Sequence, residues 1–122
     1  MNNKHIAVSF LEMAASGNVS EAYSKFVGAG FRHHNPFFEG TAKALQAGME
    51  ENALKNPDKV FEVKRVIAEG DLVVTHSHVR QKPEDLGATV VHIFRFENGK
   101  IVELWDLGQP IPDASVNENG MF

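Results

Sequence analysis

The sequence predicts an α+β domain: three helices first, then a four- to five-stranded antiparallel sheet packed against them. Two observations carry this. Up to about Leu54 the apolar residues recur at three- and four-residue spacing, and from Val60 onward they fall in β-rich runs separated by turn signals. The composition also suits a packed core, with 43% hydrophobic and 23% charged residues over 122 positions, a balance far from that of disordered chains.

The first helix rests on Ile6, Ala7, Phe10, Leu11, Met13 and Ala14, which share one face, and Ser16-Gly17-Asn18 closes it. Asn18 then reads as the cap of a second helix, with Glu21 at the capping-box position and Val19, Ala22, Tyr23 and Phe26 as its buried stripe. Gly28 and Gly30 break that helix, and Phe31 to Asn35 reads as a short extended piece because Pro36 excludes Asn35 from helical geometry. A third helix runs from a Thr41 cap through Leu45 and Met49 to about Leu54, stopped by Asn56-Pro57. Gly48 inside it marks a close packing contact.

Four strands follow: Val60 to Glu69, Leu72 to Arg80, Ala88 to Phe96 and Ile101 to Leu107. The strongest hairpin signal is Asn98-Gly99. Residues 1–109 form one domain, and residues 110–122 read as a poorly ordered tail.

Several function classes are excluded at this level. A net charge of −4 gives no footprint for nucleic acid or an anionic membrane. The absence of cysteine removes disulfides, zinc–thiolate sites and a thiol nucleophile. The N-terminus is polar and then amphipathic, unlike a signal peptide, so the expected location is the cytoplasm.

Strand alternation points to a pocket. Leu72, Val74, His76 and His78 share a face, as do Val90, His92, Phe94 and Phe96, and Val102, Leu104 and Asp106. If these are one face of the sheet, it is apolar and dotted with ionisable groups, as a ligand site is. The opposite faces (Val73, Thr75, Ser77, Val79; Thr89, Val91, Ile93) are apolar enough to pack on a second subunit, which predicts a homodimer. His76 and His78 could ligate a metal, but no carboxylate motif completes a set, so no metal is assigned.

Two stretches carry a family resemblance: Phe31-Arg32-His33-His34-Asn35-Pro36-Phe37-Phe38-Glu39-Gly40, and the run from Val90 to Pro110 that contains Gly99-Lys100-Ile101-Val102-Glu103-Leu104-Trp105-Asp106. Together they resemble the SnoaL-like polyketide cyclase branch of the nuclear transport factor 2-like superfamily. The resemblance implies a cone-shaped roll, a curved sheet wrapped round helices and enclosing a pocket. It matches His34-Asn35 to the His-Asn-Pro motif and Asp106 to the Trp-Asp position. His92 falls where relatives usually carry Asp, at a strand position resembling the oxyanion-binding Asp of ketosteroid isomerase. Leu104 replaces a frequent His. Asn35 lies near the isomerase's general base, and an amide cannot abstract a proton, so steroid isomerisation is not implied.

The chemistry expected is cofactor-independent. Asp106, His92 and His34 are the catalytic candidates, with Asn35, His76, His78 and Phe94 as substrate-binding residues. A carboxylate base and a neutral imidazole donor would serve aldol cyclisation, isomerisation or dehydration of a carbonyl substrate through an enolate. The other reading is a non-catalytic binder of a small hydrophobic ligand in the same pocket.

Overall fold

The computed structural model describes residues 1–122. The elements in order are α1 (Asn3–Ala15), α2 (Val19–Phe26), β1 (Val27–His33), α3 (Ala42–Lys55), β2 (Val60–Glu69), β3 (Leu72–Arg80), β4 (Ala88–Glu97) and β5 (Lys100–Pro110). Helix starts follow side-chain chemistry: Asn2 Oδ1 accepts from the His5 amide at 2.9 Å, and Thr41 Oγ1 accepts from the Ala44 amide at 3.2 Å. Asn18 departs from expectation. Its side chain makes no cap bond to α2 and instead donates to Ser16 Oγ.

The five strands form one sheet in the order β1-β5-β4-β3-β2. Every pairing is antiparallel except β1 with β5, which is parallel, so the sheet is mixed where the sequence predicts an antiparallel one. The difference arises at the glycines taken as helix breakers, which lie inside β1. A Cβ at Gly28 would stand 2.9 Å from Lys100 Cβ, so glycine is what allows this strand to approach β5. The Asn98-Gly99 turn has φ of 51° and 75°, as a two-residue hairpin requires. Irregularities in β2 near Lys64 and in β5 near Val102 bend the sheet, and the helices fill its concave side.

The core lies between α1, α2 and that concave face. Phe10 meets Phe94 edge-on at 6.2 Å and Tyr23 at 5.4 Å, with Val73, Ile101 and Leu104 fully buried around them. Burying each such side chain contributes roughly 2 kcal/mol.

The ladder corrects the predicted faces of β3. Thr75 stands opposite His92, and His92 opposite Asp106, so Val73, Thr75 and Ser77 share the concave face with them. Val74, His76 and His78 point to the convex side, opposite Ile93, Val91 and Thr89. The alternation misleads here because β3 carries valines of both parities, which leaves its hydrophobic pattern without a preferred face. The tail has no helix or strand after Pro110. It returns to the convex face, where the Phe122 ring packs against His78 at 4.6 Å and His76 at 5.4 Å, beneath the Lys64 ammonium.

Candidate active site

Between the helices and the concave face lies a cavity of about 290 Å³. Leu11, Leu45, Met49, Phe61 and Val79 give it an apolar wall, and Asn35, Asn52, Lys59, His92 and Asp106 are the polar members. Asp106 and His92 are cross-strand neighbours, a pairing that sets Cβ atoms about 5 Å apart on one face.

The segment after β1 fixes the carboxylate through a relay of hydrogen bonds. His33, buried, donates from Nε2 to the Glu39 carbonyl at 2.6 Å and accepts the Asn35 amide at Nδ1 at 3.1 Å. Asn35 Oδ1 accepts from the Phe37 amide at 2.9 Å, which turns its Nδ2 towards Asp106 Oδ2 at 3.0 Å. One Asp106 oxygen is thereby held in place.

His92 is buried, and its Nδ1 has no hydrogen-bond partner. Burial lowers its pKa to about 4 against the opposing pull of Asp106, so the imidazole is neutral at physiological pH. Thr75 Oγ1 and Ser77 Oγ are also buried and unpaired beside it. Tyr23 donates to Met49 Sδ at 3.4 Å; burial first, then the charges of Asp106 and Glu50, raise its pKa and keep the phenol protonated.

The other predicted site residues lie elsewhere. His34 follows His33 in an extended segment and so faces the opposite way. It stacks on Trp105 at 4.9 Å, and its Nε2 donates to Glu103 Oε2 at 2.7 Å, on the convex side. His76 bonds Thr89 Oγ1 and Arg65, and His78 donates to the Leu86 carbonyl, also on that side. No group of three or more His, Asp or Glu side chains gathers as a metal set. Phe94 is core, packed on Phe10 rather than lining the cavity. Among the candidates, the structure therefore joins Asp106, His92 and Asn35.

Lys59 carries no signal in the sequence, because a lysine just ahead of a strand has no parity to read, and Asn52 is one polar residue among several in α3. In the sequence Glu103 stands only within the Gly99–Asp106 motif. Its carboxylate accepts from Arg32 at 2.9 Å, His34 at 2.7 Å and Arg95 at 3.0 Å. These partners sheathe it at the surface and lower its pKa to about 2, Arg32 contributing most.

The SnoaL-like domain family matches residues 7–104. The chain belongs to this family. Solved structures agree in fold. AclR from Streptomyces galilaeus, a provisionally assigned hydroxylase, is 23% identical with a TM-score of 0.73, over 88% of this chain and 79% of that one. An NTF2-like protein of unknown function from Burkholderia xenovorans is 20% identical with a TM-score of 0.73, over 93% and 88%. A provisionally assigned isomerase of the SnoaL-like family from Agrobacterium tumefaciens is 14% identical with a TM-score of 0.72, over 89% and 99%. At such identities the likeness is one of fold. No curated protein matches the chain. No helix is long and apolar enough to cross a membrane.

Proposed function

We propose that this SnoaL-like domain is a cofactor-independent enzyme that acts on a carbonyl compound through an enolate. The observation that carries the reading is the cross-strand pair in one cavity: a held carboxylate, Asp106, beside a neutral imidazole with an unspent nitrogen, His92. Asp106 takes the proton from the carbon next to the carbonyl, and the C–H electrons move onto the carbonyl oxygen. The N–H of His92 stabilises that oxygen without carrying a formal charge. Asp106 then returns its proton to the product, so no redox partner is needed. Asn35 positions the carboxylate and takes no proton. Aldol cyclisation, isomerisation and dehydration all fit this equipment.

The test is deuterium uptake at the carbon beside the carbonyl when ketones are incubated with the protein in heavy water. Exchange that disappears in Asp106→Asn supports the enolate reading. Ligand binding with no exchange at any pH makes the cavity a binding site for a small hydrophobic molecule instead.

The assembly in this reading is a homodimer through the convex face, where Ile67, Val74, Val91, Ile93 and Leu107 stand together, Leu107 at 62% exposure. Sedimentation at micromolar concentration should give a dimer that Ile93→Glu dissociates. A monomeric wild type overturns the assembly.

A further inference from the structure

Lys59 is the one cation lining the cavity, and Asp106 the one carboxylate. They belong to different ends. Asp106, with His92 and Asn35, borders a depression beside Pro36 and Phe37, whereas Lys59 borders another beside Glu12, Ala15 and Phe61. No residue is common to the two depressions, and β5 lies three strands from β2, just ahead of which Lys59 sits. The stretch between is the apolar wall.

Unlike His92, the lysine has a hydrogen-bond partner, but its charge is unmatched. It makes no ion pair, not even with Glu12, and its ammonium donates to the neutral Asn52 Oδ1. Half-burial lowers its pKa, with no neighbouring charge to oppose it. A cation held against an apolar wall without an anion is costly, and an anionic ligand group would relieve that cost.

We infer that the substrate is a carbonyl compound bearing a carboxylate, with the carboxylate held by Lys59 and Asn52 and the carbonyl at His92 and Asp106. This rests on the enolate reading for the carbonyl end alone; the anion end stands on Lys59. The two ends fix the direction in which the ligand lies, and so decide which carbon meets Asp106.

The test uses β-benzoylpropionate, an aromatic keto acid, and its primary amide as a matched pair. Calorimetric titration of the wild type should show the acid binding about tenfold tighter, the effect of one charge-assisted contact. Lys59→Met should erase that preference, and Lys59→Arg, which keeps the charge, should retain it. Equal affinities in the wild type, binding of neither compound, or a preference that survives Lys59→Met overturns the inference. Proton NMR on the same samples in heavy water separates the two proposals. Acid preference without exchange ends the enolate reading and leaves the anion site standing; exchange without preference does the reverse.

Discussion

Strands β4 and β5 carry two polar clusters, one on each face of the sheet, built to opposite rules. On the convex side Glu103 accepts from Arg32, His34 and Arg95, and the Trp105 ring covers His34. On the concave side, three pairings along the ladder from Glu103, His92 Nδ1, Thr75 Oγ1 and Ser77 Oγ are buried without partners, and Asp106 has one held oxygen. Each unpaired buried group costs about 1–3 kcal/mol. A saturated cluster secures strands and loop, whereas in the unsaturated one His92 and Asp106 line the cavity and keep hydrogen-bonding capacity for a molecule there. Composition does not separate the two, since both hold a histidine and a carboxylate.

Substitutions on each face test this contrast. The largest effect expected is that of Asp106→Asn, which should cut enolisation by at least about a hundredfold, the share of a lost general base, while the melting temperature hardly moves. The acid limb of stability comes next. Below pH 6.5 the unfolded chain binds a proton that folded His92 refuses until about pH 4. Stability present above pH 6.5 should therefore fall by about 3 kcal/mol on the way down to pH 4, and lose no more below it through this group. Denaturant titrations across that range should show the slope, and His92→Leu should flatten it. Glu103, lowered from 4.5 to about 2, acts in the same sense but lower, between those two values.

Glu103→Gln should cost about 1–2 kcal/mol, because the carboxylate is enclosed while Arg32 and His34 keep contact with solvent, and should leave turnover unchanged. If this change stops turnover and Asp106→Asn does not, the two faces have been assigned the wrong way round. Removal of Phe122 should have the smallest effect, below about 1 kcal/mol in thermal unfolding, since the residue stays 39% exposed.

The sequence foretold the helix faces, the Thr41 cap and the Asn98-Gly99 hairpin, because each depends on local chemistry or on parity within one element; the shared face of His92 and Asp106 is conditional on register, which the β4–β5 ladder supplies. What it hid was relational. The face of β3 depends on register with β4, and valines at both parities leave that undecided. The His33-His34-Asn35 run places three neighbours on three tasks, one inside, one outside and one against Asp106. Only the β1–β5 pairing tells them apart. Lys59 precedes its strand, where no periodicity applies.

Gly48, read from the sequence as a close contact, proves to be one. A Cβ there would lie 2.4 Å from Phe38 Cε1 and 2.7 Å from its Cζ. The missing methyl lets the Phe38 ring lie against α3 where the cavity meets solvent, with the residue 41% exposed. Its consequence is kinetic. A ring resting on bare backbone has no side chain to displace on that side, so the expected effect of changing the contact is on how quickly a molecule enters and leaves more than on how firmly it is held. Gly48→Ala would push the ring outward, and stopped-flow traces should then show association and dissociation changing together while the equilibrium constant stays nearly fixed.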